Sequence, residues 1–373
     1  MTQKVEQASI KLLSICIPTH DGRGGTLREA LESVVSQIDE ALESQVDICI
    51  SDNASQDETQ TLVAQYTQDY PGLIRYHRHP INLGFTRNLM QVIALSQARF
   101  CWLLSSDDRI AEGGLKRVRQ ALEEHPETSG ISVFTEGFER DMSARSVHQN
   151  SAAVLPFASG EPHVYRTPEE IFRACGLFHG CFSAQIVSRP RWNEVLEATE
   201  RKALAANVHF PHLYLIGLIV KAHPCWIWLP ELTIKARRDN DALTSQLDRN
   251  LLRYQLETMR DLSHAWAALL GRRSLLYRTL MARALADQWS GRAILTLKIH
   301  TRCRLSDDWA VLAGYTRHLY FLPAFWRSSF PVALVPGSLL RVGFQLKSFG
   351  KSILRSRRVH QSGLAERRRE PVA

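Results

Sequence analysis

The chain has little that would mark it for export, for metal clustering or for a membrane span. Its first residues, Met-Thr-Gln-Lys-Val-Glu-Gln, have neither the basic start nor the apolar stretch of a secretory signal, so a cytoplasmic protein is expected. The seven cysteines form no Cys-x-x-Cys pair and sit mostly inside apolar runs, as reduced core residues do. The apolar, aromatic-rich stretch 319–344 is a poor spanning helix, because Arg327, Arg341 and three prolines interrupt it. Gly22-Arg-Gly-Gly25 lacks both the Gly-Lys-Ser/Thr ending of a phosphate-cradling loop and dinucleotide-fold spacing, and reads as a flexible loop. General disorder is excluded by 45% hydrophobic and 23% charged residues, and 373 residues suffice for an α/β domain with a smaller helical addition.

What is present is a pair of acidic strand ends. Val46-Asp-Ile-Cys-Ile-Ser-Asp52 and Phe100-Cys-Trp-Leu-Leu-Ser-Ser-Asp107-Asp108 are apolar runs of buried-strand length that deliver carboxylates to the strand's carboxyl end. Open α/β sheets place their ligand crevice there. Carboxylates gathered in one crevice repel unless a cation lies between them, and Mg2+ or Mn2+ holding a diphosphate is a common solution. A nucleotide-sugar enzyme is the expectation.

Around these ends, apolar periodicity alternates. Strands are expected at 12–18, 46–50, 74–77 and 100–104, with helices at 26–37, 57–70, 85–96 and 113–124. That alternation predicts a parallel, doubly wound sheet. Further on, 131–140 reads as a strand, 141–161 as a loop, and Thr167-Pro-Glu-Glu as a capped helix start. Residues 178–188 read as turn and strand, 210–221 as a helix, and 225–229 as a strand ending at Pro230; helical periodicity prevails from 248 onward. The expected domains are a nucleotide-sugar half (1–126), an acceptor and catalytic half (127–245), a helical, membrane-associating region (246–345) and a disordered basic tail (346–373).

Four motifs then stand in register: Leu13-Ser-Ile-Cys-Ile-Pro-Thr-His20, Ile50-Ser-Asp52-Asn-Ala-Ser-Gln-Asp57, Asn82-Leu-Gly-Phe-Thr-Arg87-Asn88, and Trp102-Leu-Leu-Ser-Ser-Asp107-Asp108. In order and spacing this resembles the family 2 glycosyltransferases, and beyond residue 125 the chain is similar to bacterial enzymes that add sugars to lipid-linked surface-polysaccharide intermediates. The resemblance implies a GT-A-type mixed α/β sheet with a helical C-terminal extension. It also implies a metal-dependent, inverting hexosyl- or deoxyhexosyltransferase acting on a lipid-linked or oligosaccharide acceptor. Pro18, Thr19 and His20 would form the first donor loop, with His20-Asp21 where the family more often has Tyr-Asn, and Asp52 would meet base and ribose unless it only shapes a turn. Arg87, at a helix start, suits the diphosphate or is a surface residue. Asp108 matches the family's metal ligand and Asp107 a donor contact, while Ser106 replaces an acidic residue; capping of the next helix is their alternative role. The family's base is a carboxylate at a helix start, and the matching position falls on Phe210-Pro-His212. His212 is therefore the candidate base, with His209 next, although a lone histidine is more often structural. His179 is a candidate for the acceptor pocket, and Arg237 and Arg238 for the acceptor's phosphates.

The net charge of +8 concentrates in Lys347, Lys351, Arg355, Arg357, Arg358 and Arg367 to Arg369. Aromatic residues followed by a basic run suit an anionic inner leaflet, which makes a peripheral membrane protein the expectation. Two rivals remain: a catalytically inactive nucleotide-sugar-binding protein, and a nucleic-acid-binding protein using the tail. The second lacks interleaved aromatic residues for base stacking, so no nucleic acid is expected.

Overall fold

The computed structural model describes residues 10–145, 161–200, 204, 209–237, 251–300 and 305–342; Arg238 and the basic tail lie outside these. The first apolar runs form β1 (Leu13–Thr19) and β2 (Val46–Asp52), each buried at every position, as strands covered on both faces must be. Between them, α1 (Gly24–Val35) buries Leu27, Ala30, Leu31 and Val34, the stripe of a one-sided helix, and α2 (Glu40–Glu43) is a single turn capped by Asp39. Then come α3 (Thr59–Asp69), β3 (Ile74–Arg78), α4 (Phe85–Leu95), β4 (Phe100–Leu103), β5 (Arg109–Ile110) and α5 (Gly114–Glu124).

The second half supplies β6 (Gly130–Phe138), β7 (His163–Tyr165), α6 (Pro168–Cys175), β8 (Gln185–Ser188), α7 (Arg189–Ala198), α8 (Pro211–Ala222) and β9 (Trp226–Arg237). Thr167 caps α6 as its sequence predicts: its hydroxyl accepts the Glu170 N–H and donates to the Glu170 carboxylate at 2.8 Å. The nine strands form one sheet in the order β3-β2-β1-β4-β8-β6-β9-β5, with β7 also on β9. β3, β2, β1 and β4 are parallel, whereas β8 runs antiparallel to both β4 and β6. The parallel half thus ends where β8 enters, and the sheet is mixed.

β9 departs from the expected strand. Instead of ending at Pro230 it continues to Arg237, because Pro230 and Glu231 fall in a bulge: Val133 pairs with Leu229, and the next residue, Phe134, with Leu232. A bulge is one of the few places a sheet accepts a proline. The continuation also pairs antiparallel with β5, Arg109 opposite Lys235. It therefore brings Arg237 back to the loop between β4 and β5.

Two compact units are present: residues 1–246 with 257–287, and residues 247–256 with 288–373. In the second, the helices Gly291–His300, Leu305–Leu319 and Phe330–Leu334 enclose Lys298, which is fully buried. Its ammonium lies 2.9 Å from Asp308 and donates to the carbonyls of Ala333 and Val335, so the charge is both paired and hydrogen-bonded. Among the described residues, no helix is long and apolar enough to cross a membrane.

Candidate active site

The order of β2, β1 and β4 puts the loops that follow these strands side by side at their carboxyl ends. The Asn53 N–H and the Asn88 side-chain amide both donate to the Thr19 carbonyl, at 3.0 and 3.1 Å, tying the ends of β1, β2 and α4 together. Pro18 and Thr19 are buried in β1, and Thr19 therefore offers the site its backbone. His20 follows, its Nδ1 2.9 Å from the Asp21 carbonyl oxygen, its pKa lowered by desolvation and by the Arg23 charge.

Asp52 is wholly buried. Its carboxylate accepts the Ser55 N–H at 2.9 Å and the Tyr76 hydroxyl at 2.7 Å, with the Arg78 Nε 3.5 Å away. In this structure it shapes the loop after β2. Arg87 is exposed on the first turn of α4.

Asp107 and Asp108 lie between β4 and β5, and α5 takes Gly113 as its cap, so the acidic pair does not cap that helix. The two carboxylates have different surroundings. Asp107 is ion-paired with Arg23 and accepts the Ser105 hydroxyl. Asp108 accepts the Ser183 hydroxyl at 2.5 Å and the Arg237 N–H at 2.9 Å, both neutral donors. Ser106, at the position of the missing acidic residue, is buried. Among the described residues, no three His, Cys, Asp or Glu side chains are grouped to hold a metal. Asp107 and Asp108 are the carboxylates here that would hold a divalent ion, with donor phosphates completing its shell, as Mg2+ is usually bound at phosphate sites.

Arg237 does not present its guanidinium to an acceptor here. Its three nitrogens meet the Asp107 carbonyl, the Arg140 carbonyl and the Glu29 carboxylate, and its side chain is 5% exposed. Arg109 reaches the same Glu29 at 2.6 Å. The network fastens β5, β9 and α1 around the acidic loop.

The histidines also depart from expectation. His179 is buried between Phe172 and Trp226, with its Nε2 unpartnered, rather than lining an open pocket. Burial, and then the nearby His212, pushes its pKa down to about 3. His212, on the first turn of α8, is 2% exposed; its Nε2 lies 3.2 Å from the Gly180 carbonyl oxygen and its ring packs on Phe182. Burial pushes its pKa down to about 4, so the near-neutral, accessible base expected at this position is not what the fold provides. His209 is different. Its side chain is 21% exposed and its Nδ1 lies 2.7 Å from Asp261, a fully buried carboxylate that also accepts from the His209 N–H and Arg260. Asp261 thus faces Nδ1, while Nε2 lies 3.9 Å from the Glu257 carboxylate.

Sequence reasoning missed Arg23, Ser183 and Asp261. Arg23 looked like part of a loose glycine loop, whereas α1 already starts at Gly24. Ser183 and Asp261 reach their partners only through long-range packing, for which no local pattern exists.

The Glycosyl transferase family 2 model matches residues 14–193. Abequosyltransferase RfbV of Salmonella typhimurium is 27% identical over 238 residues, 62% of this chain and 68% of that protein. Uncharacterized protein Rv1520 of Mycobacterium tuberculosis is 31% identical over 105 residues, which are 28% of this chain and 29% of its own length. Among solved structures, S. aureus TarS 1–349 in complex with UDP superposes with a TM-score of 0.55 at 13% identity, over 84% of this chain and 81% of that one. At that identity the likeness speaks for the GT-A fold alone. The family match runs from β1 into α7 and takes in the loops after β1, β2 and β4, so residues 14–193 of the chain form a glycosyl transferase family 2 region.

Proposed function

We propose that this glycosyltransferase inverts configuration, moving a hexosyl or deoxyhexosyl unit from a nucleoside-diphosphate sugar to a lipid-linked or oligosaccharide acceptor in bacterial surface-polysaccharide assembly. The observation that carries the reading is the Asp107–Asp108 pair at the switch point of the sheet, where Asp108 accepts the Ser183 hydroxyl and the Arg237 N–H. A relative named for abequose transfer and a fold neighbour solved with UDP support a donor of this class. A divalent ion at Asp108, when bound, would neutralise charge on the departing nucleoside diphosphate. The residues of the chain supply positioning and proton removal. His209, oriented by Asp261, takes the acceptor hydroxyl's proton, a role that burial makes unsuitable for His212.

Donor hydrolysis tests this. The full-length protein is incubated with UDP-, GDP-, CDP- and dTDP-sugars, and nucleoside diphosphate release is followed with and without Mn2+. Metal-dependent release from at least one donor is expected, abolished by Asp108→Asn at an unchanged unfolding midpoint. Binding of nucleotide without release from any donor would instead identify a nucleotide-sugar-binding protein.

A further inference from the structure

We propose that Arg23 is a resident counter-cation of the acidic motif: it competes with a divalent ion for Asp107 when no donor is present, and turns to the donor's diphosphate when metal and donor bind together. The proposal rests on the reading of Asp108 as the metal ligand. Arg23 is 8% exposed and ion-paired with Asp107, which lies beside Asp108. Without it, two adjacent carboxylates would face each other with little water to screen them. An arginine gives that compensation without a titratable proton, since it stays charged.

A second observation points to a missing acceptor. The Arg23 Nε is buried and has no hydrogen-bond partner, an arrangement that is costly for a charged donor group. A phosphate oxygen is the acceptor whose geometry matches the guanidinium fork, of which one arm already meets Asp107. On the N-terminal side of Arg23, Gly22 has a φ of +79° and an added Cβ there would meet nothing, whereas one at Gly24 would lie 2.3 Å from the Glu58 carboxylate. The flanks of the loop are fixed, because the Asp57 carboxylate accepts the Gly22 N–H at 2.8 Å and Asp21 accepts the Asp57 N–H.

The charges dictate the order of binding. A divalent ion arriving alone meets an arginine already on Asp107 and is repelled. A nucleoside diphosphate brings negative oxygens enough for both cations, so metal and donor favour each other's binding, and by linkage the coupling is reciprocal.

The test measures Mn2+ affinity by electron paramagnetic resonance. It compares Mn2+ alone with Mn2+ plus whichever of UDP, GDP, CDP or dTDP most raises the unfolding temperature. For Arg23→Gln, affinity for Mn2+ alone should rise about tenfold and affinity for nucleotide in the presence of Mn2+ should fall about tenfold, collapsing the coupling. Arg23→Lys keeps the charge without the fork, and should restrain Mn2+ binding while still losing nucleotide affinity. Unfolding midpoints report whether each variant is folded; if Arg23→Gln is not, Arg23→Lys alone decides, through nucleotide affinity. Asp108→Asn separates the two readings. Loss of Mn2+ binding there, with both affinities of Arg23→Gln within about twofold of wild type, overturns the Arg23 proposal and spares the metal site. Unchanged Mn2+ binding in Asp108→Asn overturns the metal site itself.

Discussion

His209, His212 and His179 show that at the residue scale the same side chain serves different ends according to its burial. Only His209 combines exposure with a buried carboxylate behind it, and that pairing predicts its kinetics. His209→Ala should lower turnover by roughly 10² to 10⁴ with donor affinity little changed, the loss expected of a general base. Asp261→Asn should lower turnover too, because it replaces the carboxylate that orients the ring through Nδ1. An unchanged rate in His209→Ala would remove it from the chemistry. The two buried histidines act on stability instead. Their folded-state pKa values, about 4 for His212 and about 3 for His179, lie below the ordinary 6.5, so between these limits the unfolded chain binds protons that the fold refuses. Stability should therefore be fully present above about pH 6.5 and fall as the pH drops toward 4, by on the order of a few kcal/mol. His212→Gln, which can keep a bond to the Gly180 carbonyl, should show a shallower fall in urea midpoint between pH 7 and pH 5; equal slopes for variant and wild type would refute the assignment. The acidic pair itself was legible, being contiguous and preceded by an apolar strand, whereas the low pKa of His212 was not: nothing in Phe-Pro-His reveals that Phe182 and Gly180 will close over the ring.

At the scale of elements, the single turn of α2 was not foreseen, whereas the strands β1 to β4 and the helices α1, α3 and α4 could be read within a residue or two. Each rests on a local period and is stopped by a local signal, as at Pro71-Gly72 after α3. Among the elements that escaped, besides β7 and α7, are those whose length depends on partners. β5 has two residues and exists because β9 pairs with it, and β9 extends past Pro230 because β6 holds it on the other side of a bulge. That extension positions Arg237, so the expectation that this arginine faces the acceptor failed with the strand boundary and not with the residue. The middle of the second half gives a further test. Gly130, in β6 between β8 and β9, has no space for a side chain: a Cβ there would lie 2.5 Å from the Ile186 carbonyl oxygen and 2.4 Å from the Trp226 ring. Backbone cannot yield as a flexible side chain can, so Gly130→Ala should destabilise by about 1–3 kcal/mol or more, read as a lower urea midpoint at unchanged slope. Gly25→Ala, with nothing near its Cβ, serves as the tolerated counterpart.

For the whole molecule, the remaining question is where it works, and the second unit bears on it. Trp309, Tyr320, Trp326, Leu334, Leu339 and Val342 are all exposed there, an unusual amount of apolar surface for so few helices. Tyr320 and Trp326 are linked, the indole N–H donating to the Tyr320 carbonyl at 2.7 Å, and the Trp326 and Phe330 ring centroids lie 4.7 Å apart, so these three residues form one cluster. In sequence, eight basic residues follow between Lys347 and Ala373 against two acidic ones, Glu366 and Glu370. Aromatic insertion at the headgroup level and attraction of a basic segment to anionic lipid add, each basic residue contributing roughly 1 kcal/mol close to the surface. The two contributions separate by salt. Full-length protein should sediment with phosphatidylglycerol vesicles at low ionic strength and much less with neutral ones, and binding should weaken as salt screens the charge. Replacing Arg367, Arg368 and Arg369 by Gln should lower affinity at low salt and flatten the salt dependence. Trp326→Ser should lower it at every salt concentration, because what it removes is apolar burial. Donor hydrolysis should be spared in both variants, since neither replaces a residue of the strand-end loops. Indifference of the full-length protein to anionic vesicles at low salt would remove the membrane from this reading, leaving the exposed aromatic cluster to be explained by another partner and the acidic site unaffected.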